Sequence, residues 1–318
     1  MGNSLTDILL KIDSDEILTK LNLPKGSMQL VDEKKSSEIS SFLKRFETKM
    51  AAGGSAANTV NGITRLGGYA AFVGKTGKDE VGLFFKNDIE KNGVYPCLLE
   101  SETPSGRCIV LISPDGERTM CTYLGASSEL NPDDLSGELF EGYDIFHIEG
   151  YLVQNNELIR KAVMLAKQAG LQVSIDLASY NVVEGNLEFL QEIIREYVDI
   201  VFANEDEARA FTGKEPQDAL IVFSELADIA VVKIGKDGSF IKSGDKTVQV
   251  SSRKANCIDT TGAGDLYATG FLYGLASGLT LEQCGKTGSL VSGHVVETVG
   301  AKMSDEIWDE INAEIKTY

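Results

Sequence analysis

DTTGAGDLYATGFLYG, residues 259–274, sets two threonines, two glycines and an aspartate directly before an apolar stretch. Leu266, Thr269, Gly270, Tyr273 and Gly274 recur at helical spacing, so Gly262-Ala263-Gly264 marks a turn into a helix. Glycine there lets backbone N–H groups converge, and the helix start adds partial positive potential; together they make an anion hole suited to a phosphate. Asp265 stands beside that hole. An acid in a first helical turn can simply complement the helix dipole; beside a phosphoryl group it can also orient a hydroxyl nucleophile and accept its proton. The turn is not a dinucleotide fingerprint, because Tyr267 fills the third glycine position. Nor does the chain carry a P-loop. Gly74-Lys75-Thr76 and Gly285-Lys286-Thr287 lack the earlier glycine, at Tyr69 and Thr280 respectively.

Upstream of this stretch the pattern alternates. From about residue 143, YDIFHI, LQVSID and VDIVFA read as strands separated by the helical ELIRKAVMLAKQAG and LEFLQEIIREY. Such βαβ alternation predicts a mostly parallel sheet covered by helices, with ligands at the carboxyl ends of its strands. ADIAVVKIG supplies a further buried strand, and SFIKS and KTVQVS, joined at Gly244-Asp245, read as a hairpin at the sheet edge. The first part differs. CIVLI and RTMCTY flank the turn Ser113-Pro114-Asp115-Gly116 and form a hairpin; with LTDILLKI and SMQLV they predict a small separate sheet, a lid or interface patch. AGGSAANTVNGITRLGG and DEVGLFFKNDIEKNG read as helices ending at Gly67 and Gly93, with YAAFVG as the strand between them.

Two more stretches bear on chemistry. In AGGSAAN, Gly53 and Gly54 allow close backbone approach, and Asn58 offers a donor and an acceptor to a neutral hydroxyl; helix capping and tight packing would use the same residues. In ANEDEARAFTG, Asn204 and Glu207 share one face of a helix that starts where a parallel strand ends. Mg²⁺ takes oxygen ligands and keeps several waters, so this pair near a triphosphate would suffice; capping alone would also explain it.

Composition narrows the classes. The 318 residues, 42% hydrophobic, allow one large α/β domain. A net charge of -18 opposes a nucleic-acid partner. No run of eighteen apolar residues occurs, so no membrane span is expected, and MGNSLTDILLKIDSDE carries acids where a signal peptide needs a basic end; the cytoplasm is the expected location. Five cysteines without a CxxC pair argue against a disulfide framework or thiolate zinc site. His147 and His294, the two histidines, sit in apolar runs and read as packing residues.

GGSAAN, NEDE and DTTGAGD, in this order and at these spacings, resemble the ribokinase-like (PfkB) family of sugar and nucleoside kinases along nearly the whole chain. The resemblance implies one ribokinase-like domain over residues 1–318: an α/β fold with a central, mostly parallel sheet flanked by helices and a small β lid formed by about 5–12, 28–31 and 107–123. It implies ATP-dependent transfer of the γ-phosphoryl group to a hydroxymethyl group. Carried over, Asp265 is the catalytic base and Thr261, Gly262, Ala263 and Gly264 form the anion hole. Asn204 and Glu207 organise Mg²⁺ and phosphates through water. Asp7, Gly54 and Asn58 bind substrate, and Gly235, Gly238, Ser292 and His294 lie on the ATP side. Lys233 stands where many members have threonine. A monovalent cation such as K⁺ is a further expectation. The start of the chain resembles the adenosine-kinase branch. A nucleoside would need an apolar clamp, for which Leu10, Ile12, Phe146 and Tyr151 are available; a free sugar would instead be bound by polar groups such as Asp7, Asn58 and Glu149. A sensor that binds without turnover, and a homodimer paired through lid strands, stay open.

Overall fold

The computed structural model describes residues 1–317. The alternating half builds a six-stranded sheet from β8 (Ile145–Glu149), β9 (Gln172–Asp176), β10 (Ile200–Asn204), β11 (Ile229–Lys233), β12 (Ser239–Ser243) and β13 (Lys246–Val250); these labels count all strands in chain order. The spatial order is β13-β12-β11-β10-β9-β8, with β8 to β11 parallel and the terminal hairpin antiparallel. Strand periodicity divides its side chains between two cores. Along β10, Val201 and Ala203 pack into one layer, whereas Ile200 and Phe202 face Tyr267 and Phe271 of the helix Ala263–Ala276 on the other. Both faces are therefore covered, as a parallel sheet requires.

Before this sheet come β1 (Leu5–Lys11), β2 (Met28–Leu30), β3 (Lys49–Gly53), β4 (Ala71–Gly77), β5 (Tyr95–Ser101), β6 (Gly106–Ile112) and β7 (Arg118–Tyr123). β4 and β5 pair in parallel, and residues 1–2 bridge them to the main sheet: Gly2 N donates to Val73 O, and Glu149 N to Met1 O. The other five form a second sheet in the order β2-β7-β6-β1-β3. The segments read as lid strands lie in it, and β3 joins them. β3 escapes the sequence pattern because its KMAAG run lacks β-branched residues and leads straight into the helix Ser55–Arg65.

One face of this second sheet packs Leu10, Ile12, Ile109 and Leu111 beneath the helix Glu33–Leu43. The opposite face, carrying Leu9, Cys108, Val110 and Met120, looks toward the main sheet. No helix among the described residues is long and apolar enough to cross a membrane.

Candidate active site

A cavity of about 1270 Å³ lies between the carboxyl ends of the parallel strands and the inner face of the five-stranded sheet. A drug-sized ligand occupies ~300–1,000 Å³, so two small molecules fit here. At its centre is the turn quoted above. Gly262 is left-handed at φ 75° and immediately precedes the helix Ala263–Ala276. First-turn amides of a helix have no intrahelical acceptor and point outward. Ala263 N is spent on Thr260 O at 3.1 Å, so of the residues expected in the anion hole Ala263 does not have its amide free.

Asp265 is fixed by two hydrogen bonds from the start of the helix Ser55–Arg65: Ser55 Oγ donates to Oδ1 at 2.7 Å, and Asn58 Nδ2 to Oδ2 at 2.9 Å. The Asn58 Oδ1 is buried with no partner among the described residues. Burial raises the Asp265 pKa, and the charge of Asp176 adds to that, while the bonds from Asn58 and Ser55 and the ammonium of Lys233 oppose it. A buried carboxylate of raised basicity beside an anion hole is equipped to take a proton.

Lys233 ends β11 and extends toward that hole. Its Nζ donates to Asp176 Oδ2 at 2.6 Å, and lies 3.2 Å from where a Cβ on Gly264 would sit. Burial pulls its pKa down, but Asp176 and Glu207 more than offset this, and the ammonium is held above its ordinary range. Asp176 itself closes β9, at the carboxyl end of a parallel strand where ligand-binding groups gather.

The Asn204/Glu207 pair forms a reciprocal cap on the helix Glu205–Thr212 and lines the cavity as well. Asn204 Oδ1 accepts from Glu207 N at 2.9 Å, and the Glu207 carboxylate accepts in turn from Asn204 N and Nδ2, both at 2.7 Å. Capping and ligand-facing positions are thus combined in the same two residues. Glu207 is pushed up to about 7 by burial and by the charge of Asp176. Among the described residues no group of three His, Cys, Asp or Glu side chains forms a metal cage. The oxygens of Asn204 and Glu207 fit Mg²⁺ as groups that would hold the ion through water rather than as a protein cage.

Asp7 and Gly54 occupy the half of the cavity under the second sheet. Gly54 has φ 91°, and a Cβ there would lie 2.5 Å from Asn3 O. Gly54→Ala is therefore expected to cost about 2 kcal/mol or more, a fall of roughly 4 °C in unfolding midpoint, measured by thermal melting. Asp7 is pushed up to about 7 by burial, with Asp265 adding to the shift and Lys302 and Arg118 opposing it.

Gly235, Gly238, Thr261 and Ser292 also line the cavity. His294 does not: two positions beyond Ser292 on the helix Leu281–Val295 it is rotated by about 200° and buried. Glu149 is a second correction. It is 1% exposed, and its carboxylate accepts from Asn3 N, Asn3 Nδ2 and Ala56 N, so it anchors the chain rather than meeting a ligand. Leu10, Ile12 and Phe146 belong to the cores, and of the four clamp residues only Tyr151 lines the cavity. His147 is buried, with Nδ1 on Ser174 Oγ at 3.0 Å, in keeping with a packing role.

Sequence reading passes over a latch. From β7, Arg118 Nη1 donates to Thr261 Oγ1 at 2.7 Å and its Nη2 ion-pairs with Asp259 Oδ2 at 2.6 Å. Asp259 also accepts from Thr261 N and Gly300 N. The second sheet is thereby tied to the loop that forms the anion hole.

A glycine turn into a helix start, a buried carboxylate beside it and a covering β sheet fit a ribokinase-like phosphotransferase, and comparison with known proteins agrees. Residues 27–308 match the pfkB family carbohydrate kinases, and the chain belongs to that family. It is 33% identical to a probable sugar kinase from Rhizobium etli, with a TM-score of 0.87 over 99% of this chain and 97% of that one. It is 34% identical to adenosine kinase from Sinorhizobium meliloti, with a TM-score of 0.86 over 98% and 97%. Adenosine kinase of Saccharomyces cerevisiae is 28% identical over 96% of each chain. The protein is an ATP-dependent phosphotransferase acting on a sugar or nucleoside.

Proposed function

We propose that the protein transfers the γ-phosphoryl group of ATP to the hydroxymethyl group of a nucleoside of the adenosine type. The observation that supports this acceptor is the inner face of the five-stranded sheet. Leu5, Leu9, Met50, Cys108, Val110 and Met120 line that half of the cavity, an apolar, sulfur-rich surface suited to a flat base rather than to a sugar ring alone. Asp7 then meets the ribose hydroxyls, while the free Asn58 Oδ1 accepts from a further hydroxyl.

ATP lies on the opposite side, along Gly235, Gly238 and Ser292, with its γ-phosphate toward the glycine turn. Asp265 accepts the proton of the attacking hydroxyl, and the first-turn amides with Lys233 stabilise the charge on the transferring group. Asn204 and Glu207 would hold Mg²⁺ through water, and when bound it would neutralise phosphate charge. The second sheet acts as a lid, and its Arg118 latch keeps water from the reacting centre.

The test is ATP-dependent phosphorylation by the full chain with Mg²⁺ over adenosine, other nucleosides, ribose and fructose. Preference for adenosine is the expected result; preference for a free sugar would overturn the acceptor. A pH prediction follows from Asp7, whose pKa is pushed up to about 7 by burial. Accepting bonds from two hydroxyls requires the ionised form, so protonation weakens acceptor binding as pH falls. Acceptor KM is expected to rise about tenfold from pH 8 to pH 6, and Asp7→Asn to remove that dependence in steady-state kinetics.

A further inference from the structure

Lys302 is a buried charged residue lining this cavity to which the proposed chemistry gives no role. It follows the loop pinned by the Gly300 N bond to Asp259 Oδ2 at 2.6 Å, and Ala301 sits against the glycine turn, 2.6 Å from where a Cβ on Gly262 would lie. Its Nζ is buried with no hydrogen-bond partner among the described residues, yet the residue lines the cavity. An ammonium in such a place is costly unless a ligand completes its bonds. The carboxylates whose charges act on it are Asp88 and Asp7. Asp88 Oδ2 accepts from Ala52 N at 2.8 Å, and no ion pair within 4 Å joins Asp88 to Lys302 among the described residues. Asp7 acts on Lys302 electrostatically, but no ion pair within 4 Å joins the two.

Two opposite charges held apart across a cavity select a group that donates to one and accepts from the other. A hydroxyl does both. An anionic substituent would gain from Lys302 and Arg118 but meet Asp7 and Asp88, whereas a neutral hydroxyl meets no like charge. We propose that Lys302 is a specificity-determining residue that reads the ring diol together with Asp7, one diol hydroxyl donating to the carboxylate and accepting from the ammonium. This assignment rests on the nucleoside reading given above.

The experiment compares adenosine, 2′-deoxyadenosine and 3′-deoxyadenosine as acceptors for the wild-type chain, Lys302→Met and Lys302→Gln, with ATP affinity measured on each protein. The wild type is expected to prefer adenosine by at least about tenfold in kcat/KM over one of the deoxy acceptors, because removing a hydroxyl leaves a buried polar group unpaired. In both variants adenosine KM is expected to rise at least about tenfold with kcat changed little, ATP affinity to stay within about twofold, and the preference to shrink to about threefold or less. If the wild type uses the deoxy acceptors as well as adenosine, no group reads the diol and the assignment fails without recourse to any variant. A variant that binds ATP normally and keeps the wild-type preference also overturns it. Absence of adenosine turnover in the wild type is a different failure, overturning the nucleoside reading and this assignment with it.

Discussion

Asp265→Asn is expected to lower kcat by about 10²- to 10⁴-fold, the usual contribution of a positioned general base, while ATP affinity stays within about twofold. The amide keeps the shape of the carboxylate and can still accept from Ser55, and Asn58 can rotate its own amide to present Oδ1. What is lost is the proton acceptor. The pH profile separates this from misfolding. Burial, reinforced by Asp176, raises the pKa of Asp265. The base must be ionised to work, so wild-type kcat falls as pH drops through that raised value, and the limb should vanish in the variant. The stability sign runs the other way. A carboxylate whose folded pKa is raised contributes stability at low pH that is lost as pH rises through it, so a neutral amide removes that loss. At pH 8 the variant should therefore melt no lower than wild type. Single-turnover kinetics and thermal melting at pH 6 to 9 check both, and a variant retaining wild-type kcat would remove Asp265 from the mechanism.

Much of this centre was legible because its chemistry is local in sequence. The glycine turn, Asp265 and the Asn204/Glu207 pair each arise from a helix start, where a few consecutive residues dictate both the cap and the direction of the N–H groups. The βαβ half was equally readable, since buried strands and amphipathic helices carry their periods openly. Other features depend on tertiary contacts. Arg118 is one of many surface-type residues until β7 is folded over the Asp259 loop, 141 positions away. Lys302 carries no pattern at all. Asp176 could have been found, because it ends a predicted strand at the edge where ligands bind. Strand periodicity likewise predicts that Leu5, Asp7 and Leu9 share a face from which Leu10 and Ile12 differ in their neighbours; β1 shows that Leu10 and Ile12 serve the outer core.

Lys233→Met is expected to damage both the fold and the reaction, and the two can be separated through Asp176. The ion pair at 2.6 Å is largely withdrawn from water, with side-chain exposures of 13% and 9%. Removing one partner leaves Asp176 as an uncompensated carboxylate close enough to influence Glu207 and Asp265. Breaking such a pair costs about 3–5 kcal/mol, so the unfolding midpoint should fall by roughly 6–10 °C. Asp176→Asn in the same chain removes the stranded charge, and the double variant should regain most of that stability in denaturant titration. Its kcat should not return. The Lys233 ammonium stands beside Gly264, where the proposed chemistry puts the transferring phosphoryl group, and losing one preorganised stabiliser of this kind is expected to lower kcat by about 10²- to 10³-fold. A threonine at this position would offer a neutral hydroxyl; the lysine brings a full positive charge, which requires Asp176 to hold it in place while the site awaits its anion. If the double variant recovers stability and wild-type kcat together, Lys233 serves only the fold. If it recovers stability alone, the same ammonium that balances Asp176 in the free enzyme also acts on the phosphoryl group during transfer.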